Sequence, residues 1–358
     1  MNRSKVTIKD VALEAGVSVA TVSRLVNGTS VVSAATAAKI QETIQKLGYE
    51  PNLMARNLRK KETRVILIVC PNVTNPYYAH ILAGITEASY QQGFSAVMYT
   101  TNCDPERELE GIQMLYKGRV DGAILMDGLR DHQVFYNAAS RFPIVQCSEY
   151  VDTEIAPAVC IDNYQASRDM MAHLLGLGHT KIALISSNND YVSTKIRTQA
   201  YKDSLLEAGL PVDPEYIKLG SSDYSFQSGR ACALELLQSE NPPSAIFCIS
   251  DTFAFGSIIA AKELGITTPE ELSISGFDDV EYTTMHHPFI TTIAQPCYEL
   301  GQTSAQILFE RLEKHSAETG LVYLDHQLVV RESTAKKKTY LTHQDTDLMV
   351  NNYSKEKK

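Results

Sequence analysis

Most signatures of catalysis are missing from this 358-residue sequence. It contains no G-x-S-x-G nucleophile elbow, no G-x-x-x-x-G-K-S/T phosphate loop and no H-E-x-x-H zinc helix. The activated groups that those motifs supply are therefore lacking, and an enzyme is not expected. Gly176-Leu177-Gly178-His179 ends a helical stretch instead of opening one, which disqualifies it as a dinucleotide fingerprint and makes it a C-cap and turn. The seven cysteines, Cys70, Cys103, Cys147, Cys160, Cys232, Cys248 and Cys297, are scattered, odd in number and mostly inside apolar runs. Without C-x-x-C or histidine-paired spacing they read as buried, reduced thiols, and neither a metal nor a cofactor is expected. His286-His287 precedes Pro288 with no acidic or cysteine neighbour at ligand spacing. No run approaches the ~20 apolar residues of a membrane span. The polar, charged N-terminus lacks a signal-peptide core, so the expectation is a cytoplasmic protein with no membrane partner.

Net positive charge is lacking as well: the formal charge is −9, which taken alone argues against a nucleic-acid partner. Its distribution argues the other way. Residues 1–62 carry ten Lys and Arg against five Asp and Glu, a net of +5 that leaves −14 for the rest. A basic head on an acidic body is the electrostatic footprint of a DNA-binding domain attached to something else. With 44% hydrophobic residues, the remainder has material for a sizeable core and two or three domains.

The head carries its own pattern. Thr7 and Asp10 stand three apart before the apolar Val11, Ala12 and Ala15, a capped helix start. Ala15-Gly16-Val17 is a turn, and Ser18 offers a second N-cap. Two short helices joined by a Gly-containing turn match helix-turn-helix, although an ordinary helical hairpin has the same outline. Ala12, Val17, Val22 and Leu25 have the spacing of a small shared core, which leaves Val19, Ala20, Ser23, Arg24 and Asn27 facing outward. Ser33 caps a third helix over about 34–47, with Ala37, Ile40, Ile44 and Leu47 on one face and Gly48 as its stop. After the turn at Tyr49-Glu50-Pro51-Asn52, residues 53–58 are either a plain linker or a helix so short that it needs a partner surface.

From Arg64 onward, short apolar runs alternate with amphipathic stretches, the signature of βα units around parallel sheets. Strands are expected over 65–70, 94–99, 122–126, 144–147, 158–161, 182–186, 245–249 and 272–277. Helices are expected over 78–92, 105–117, 164–177, 197–208, 225–238, 253–264 and 298–314. So many units exceed one open sheet of ordinary size, which divides the body into two doubly wound lobes. Ligands of such sheets bind outside the carboxyl ends of the strands. The loops there carry Asn75-Pro76-Tyr77-Tyr78, Asp127, Ser250-Asp251 and Asp278-Asp279, with Arg197 and Tyr224 in or beside two more. Aromatic faces, carboxylates and an arginine suit a neutral polar ring compound. Asp251 and Asp278 also stand where Asp is common as a cap.

Together these residues resemble the LacI/GalR family of bacterial transcription repressors. The likeness runs through TIKDVALEAGVSVATVSRLVNG and VSAATAAKIQETIQKLGYEPNLMARNLR in the head. In the body it runs through VILIVCPNVTNPYYAHILAGI, RVDGAILM, IDNYQAS, LGHTKIALIS, PSAIFCISDTFAFGSIIAAKELGI, PEELSISGFDD and PFITTIAQP. It covers roughly residues 5–334, and within the family it leans toward the cytidine-responsive members. The fold class so implied is α/β: a small all-α helix-turn-helix head with a hinge helix, then a periplasmic-binding-protein-like type I body of doubly wound parallel sheets. The implied domains are the head at 1–50, the hinge helix and linker at 51–62, the body at 63–334 and a flexible tail at 335–358. Three crossovers, near 160–164, 293–296 and 324–327, would assign about 63–161 plus 295–324 to the N-lobe and about 162–294 plus 325–334 to the C-lobe.

The resemblance also implies site residues. Val19, Ala20 and Arg24 would touch base edges, Arg24 pairing with guanine and the apolar pair meeting a thymine methyl. Thr7, Ser18, Thr21, Ser23 and Asn27 would hold phosphates. Arg56, Asn57 and Leu58 would serve the hinge, with Leu58 wedged into the minor groove. Tyr77, Tyr78, Arg197, Tyr224, Asp251 and Asp278 would line an effector pocket between the lobes, open to a sugar or a nucleoside. The implied partners are a double-stranded, near-palindromic DNA operator, a small-molecule effector and a second copy in a homodimer. Beyond Ser333 no leucine heptads suggest a tetramerising coil. Two other classes remain at this stage: a ligand-binding module without a DNA role, and an enzyme acting on the same ring compound.

Overall fold

The computed structural model describes residues 6–27, 32–49, 62–314 and 316–337. The expected hinge helix, with Arg56, Asn57 and Leu58, and the tail from residue 338 lie outside the described residues. The chain forms two compact units, 1–63 and 64–358.

The first unit contains α1 (Ile8–Glu14), α2 (Val19–Asn27) and α3 (Ala34–Leu47). Asp10 accepts from both the backbone N–H and the hydroxyl of Thr7, at 2.8 and 2.7 Å, and so fixes the start of α1. Gly16, at φ +62°, makes the turn into α2, and Ser18 Oγ accepts from Thr21 N at 3.1 Å to cap it. Gly48 ends α3 in the left-handed region that a C-terminal cap requires. Val11, Ala12, Ala15, Val22, Ile40 and Tyr49 form the buried centre, with Val17, Leu25, Ile44 and Leu47 packed around it. Lys46 ties α3 to α1 through Glu14 at 2.7 Å.

The second unit holds two parallel sheets. The first contains β1 (Val65–Cys70), β2 (Ser95–Thr100), β3 (Gly122–Leu125), β4 (Ile144–Cys147), β5 (Ala158–Ile161) and β11 (Leu321–Leu324), in the order 11-5-4-3-1-2. Its inner strands β1, β3, β4 and β5 are buried on both sides because helices cover both faces. Ile66, Ile68 and Cys70 pack with α4 (Pro76–Gln91) and α11 (Cys297–Lys314). Leu67 and Val69 pack with α5 (Pro105–Tyr116) and α6 (His132–Ala139) on the other face. Helices α4 and α11 meet almost backbone to backbone: a Cβ on Gly84 would stand 2.0 Å from the Tyr298 carbonyl oxygen.

The second sheet contains β6 (Ile182–Ser187), β7 (Ile217–Gly220), β8 (Ala245–Cys248) and β9 (Ser273–Ser275), in the order 7-6-8-9. Bridges at Ser275–Thr291 and Asp278–Ala294 continue it toward β10 (Thr292–Ala294), which pairs antiparallel with β12 (Gln327–Val329). Helices α7 (Asn163–Gly176), α8 (Val192–Glu207), α9 (Phe226–Leu237) and α10 (Asp251–Glu263) pack with it around one core. The chain passes between the lobes at 161–163, 294–297 and 324–327. Five strands and α-helices lie outside the expected set: β7, α6, β10, β11 and β12. Helices α8 and α10 begin earlier than expected, at Val192 and Asp251, so Arg197 sits inside a helix instead of on a loop. Among the described residues no helix is long and apolar enough to cross a membrane, and no group of His, Cys, Asp and Glu could hold a metal ion.

Candidate functional site

The carboxyl ends of the two sheets enclose a polar chamber lined by Tyr77, Tyr78, Arg197, Tyr224 and Asp278, together with Asn75, Ser148, Glu149 and Ser193. Asn75 ends the loop after β1. Its side chain accepts from Tyr77 N at 3.0 Å, and Pro76 starts α4, so both tyrosines fall in the first helical turn. Tyr77 shares a 2.6 Å hydrogen bond with Ser148 Oγ and donates to Gln295 Oε1 at 3.4 Å. Gln295 Nε2 in turn donates to Asp278 Oδ1 at 2.7 Å.

Arg197 is 6% exposed, and four neighbours hold its guanidinium. Its carbon lies 3.6 Å from the centroid of the Phe277 ring. Nε donates to Asn163 Oδ1 at 2.9 Å and Nη1 to the Ile249 carbonyl at 2.7 Å, with Asp278 Oδ1 3.8 Å away. Such clamping removes rotamer freedom before any ligand arrives. Tyr224 Oη accepts from Asn189 Nδ2 at 2.9 Å and shares a 3.1 Å bond with Thr194 Oγ1. Ser148, Tyr224 and Asp278 all have positive φ, at 72°, 56° and 111°. Backbone strain of this kind in non-glycine residues gathers where a structure holds a side chain for a purpose.

Burial shapes the charges. It pushes the Glu149 carboxyl up to about 7, against the hydroxyl and N–H of Ser193 and the charge of Arg197, which favour the ionised form. Burial raises Asp278 too, opposed by Arg197 and Gln295. It holds Tyr224 protonated by pushing it up to about 12. The chamber therefore offers a fixed cation, two carboxyls poised near neutrality and flat tyrosine faces, a set that suits binding a hydroxylated ring.

Sequence reasoning missed Glu149, Ser148 and Ser193. Glu149 spans the cleft, accepting from the backbone N–H of Ser193 at 3.2 Å and from its hydroxyl. A second crossing joins Asp127 to Tyr191. The available signal was Ser148-Glu149-Tyr150 directly after the apolar strand β4. Asp251 is placed differently from the other five expected pocket residues. It is not among the lining side chains: Oδ2 accepts from Val280 N at 2.9 Å and Oδ1 from Thr292 Oγ1 at 2.6 Å. Its carboxylate fastens the β9–α10 region together from behind the site.

On the head, Val19 is 40% exposed, and Ala20 and Arg24 are exposed beside it on α2. Thr21 and Ser23 are half-buried. Thr7 and Ser18 are exposed, with their hydroxyls engaged by Asp10 and Thr21. Asn27 closes α2.

Comparison with known proteins bears on both units. Residues 7–52 match the description "Bacterial regulatory proteins, lacI family". Residues 63–332 match "Periplasmic binding proteins and sugar binding domain of LacI family". Catabolite control protein A of Priestia megaterium is 35% identical over 331 residues, covering 92% of this chain and 99% of that one. The HTH-type transcriptional repressor CytR of Escherichia coli K12 is 33% identical over 329 residues, covering 92% and 96%. The likeness to CytR is shared with a regulator of another name. The crystal structure of the Lac repressor dimer bound to operator and the anti-inducer ONPF matches with a TM-score of 0.84 at 28% identity, covering 93% of this chain and all of that one.

Proposed function

The chain belongs to the lacI family of bacterial regulatory proteins and is a transcriptional regulator rather than an enzyme, and from that premise we propose that it is a repressor switched by a small ligand. As a homodimer it binds a near-palindromic operator in the cytoplasm. Each subunit lays α2 in the major groove, with Val19, Ala20 and Arg24 at base edges and Thr7, Ser18, Thr21, Ser23 and Asn27 on phosphates. Arg56, Asn57 and Leu58 complete the contact at the operator centre. The operator-bound dimer among its structural relatives supports this arrangement. The ligand is a sugar or a nucleoside held by Tyr77, Tyr78, Arg197, Tyr224 and Asp278. Because those residues come from both lobes, ligand binding has a differential affinity for open and closed forms, the condition for any conformational switch.

The observation that carries this reading is the chamber itself, a clamped arginine and a raised carboxyl facing tyrosines from the opposite lobe. A DNA mobility-shift titration tests it. Affinity for an operator selected from random duplexes should fall steeply with salt, and a sugar or nucleoside that binds the body should change that affinity several-fold in either direction. Salt-insensitive binding without sequence preference would remove the DNA role. Ligand binding that leaves operator affinity unchanged would remove the switch.

A further inference from the structure

The turn after β9 carries two consecutive aspartates with different partners. Asp278 lines the chamber beside Arg197, and Asp279 does not. Asp279 Oδ1 instead meets Nη1 of Arg331 at 2.7 Å, with Thr283 Oγ1 3.1 Å away. Both aspartates have positive φ, at 111° and 57°. Strained backbone at adjacent non-glycine residues persists only where the surroundings over-determine it. The main chain supplies one hold, because the Asp278 N–H donates to the Ile293 carbonyl at 2.8 Å. The Asp279 side chain supplies a second.

Arg331 is itself fixed before it reaches Asp279. It stands two residues after β12, where the chain has completed its third crossing between the lobes. Its backbone N–H donates to Thr291 Oγ1 at 2.9 Å, and the same Nη1 that meets Asp279 donates to the Ile290 carbonyl at 2.9 Å. The next two residues, Glu332 and Ser333, both donate their N–H groups to the Phe289 carbonyl at 3.0 Å. The guanidinium is therefore registered against 289–291, the segment that leads into β10, and it ties that segment to the turn. The two side chains are partly exposed, 18% for Arg331 and 24% for Asp279, so solvent screening leaves the pair little weight in overall stability. Its contribution is to geometry.

We propose that Arg331 is a positioning residue for the ligand site: by holding Asp279 it sets the backbone of the turn, and so aims the Asp278 carboxylate at Arg197 and the chamber. Arg331 does not line the chamber, and it acts only through the turn. Asp278 thereby answers to the third crossing, since the residue that steadies it lies at the end of that crossing. This inference rests on the effector reading of the chamber and adds to it a residue outside the site.

Isothermal titration of the full chain with ribose, glucose, cytidine, adenosine and cellobiose tests it, the tightest binder of the unsubstituted protein serving as the probe. Arg331→Met keeps a long apolar stem and removes both side-chain bonds. Probe affinity should fall about fivefold or more, the loss of roughly one well-placed hydrogen bond at the site, while ligand-free operator affinity is unchanged. Arg331→Lys should recover most of that affinity, because a single nitrogen makes both bonds and an ammonium has three donors. In an Asp278→Asn background Arg331→Met should cost less than about twofold, since the carboxylate it aims is already gone. Asp279→Gly, which suits the positive φ, approaches the contact from the other side and should produce the same fall as Arg331→Met. An equal fall in both backgrounds, no recovery with lysine, or undiminished affinity in both Arg331→Met and Asp279→Gly overturns the positioning role and leaves the effector reading standing. A panel in which nothing binds the unsubstituted protein overturns both.

Discussion

Tyr191 Oη donates to Asp127 Oδ1 at 3.0 Å, joining the residue before α8 in one lobe to the loop after β3 in the other. Thr101 donates to the second carboxylate oxygen at 2.6 Å, and Cys103 Sγ lies 3.2 Å from the phenol. Asp127 is 3% exposed, so losing the phenol leaves a buried acceptor short of a partner. Tyr191→Phe should lower stability by about 1–3 kcal/mol, read as a reduced urea midpoint. The lobes should also open more readily, read as faster thiol labelling at Cys103. An unchanged labelling rate would show that this bond does not hold the cleft shut.

Glu149 makes the other crossing, and its consequence is a pH dependence. Burial raises its carboxyl from the ordinary glutamate value of 4.5 to about 7 in the folded protein. Between those values the native state holds the proton more firmly than the unfolded chain does. Its contribution to stability is therefore fully present below pH 4.5 and is lost as pH rises through about 7. Glu149→Gln should flatten that part of the stability profile relative to the unsubstituted protein, measured by urea denaturation at a series of pH values. Parallel profiles would contradict the shift.

Arg24→Ala should relax selection at one base pair of each half-site by about 1–3 kcal/mol, the value of a bidentate contact to guanine. Competition binding against single-base operator variants measures it. If every variant weakens equally, Arg24 contacts phosphate and not a base.

Asp278→Asn preserves the side-chain shape and tolerates the positive φ of this position, 111°. It removes the negative charge and one of the two acceptor oxygens beside Arg197 and Gln295. Ligand affinity should fall about tenfold or more, while operator affinity without ligand stays unchanged in a mobility-shift assay. A changed ligand-free operator affinity would place Asp278 in the structural frame instead.

In an open helix, Gly→Ala stabilises by about 1 kcal/mol. Gly84→Ala should do the reverse, because the added carbon meets the Tyr298 carbonyl oxygen at 2.0 Å and forces α4 from α11. The expected loss is about 1–3 kcal/mol, visible as a lower melting temperature. A raised melting temperature would mean that the two helices separate freely.

The central strands were legible because sheet burial on both faces writes them as unbroken apolar runs, as in Val65–Cys70 and Ile182–Ser187. Two of the four edge strands were not. Ile217–Gly220 carries Lys218 and is only partly covered, and Leu321–Leu324 exposes Val322 and Tyr323. The first lacks the composition of a core strand and the second is only four residues long, and both are recruited by pairing with a neighbour. The eight residues of α6 are too few for a helical period to stand out. At the site, aromatic and charged residues beside strand ends led to Tyr77, Tyr78, Arg197, Tyr224 and Asp278. Asp251 looked the same in sequence, and only three-dimensional placement separates a pocket carboxylate from one bonded to Val280 and Thr292. Ser193 was illegible for a related reason: its importance comes from Glu149, a residue far away in sequence.

Strand β11 pairs with β5 in parallel, Leu321 beside Ala158 through Leu324 beside Ile161. Synthesis proceeds from the N-terminus, so β5 leaves the ribosome with its outer edge open. That edge stays open while the whole second lobe is translated, since its partner emerges only after residue 321. An unpaired apolar strand is a template for association with other chains. The first lobe is thus the earliest to be made and among the last to be finished, which makes nascent chains stalled between residues 161 and 321 the species most exposed to aggregation and most dependent on chaperones.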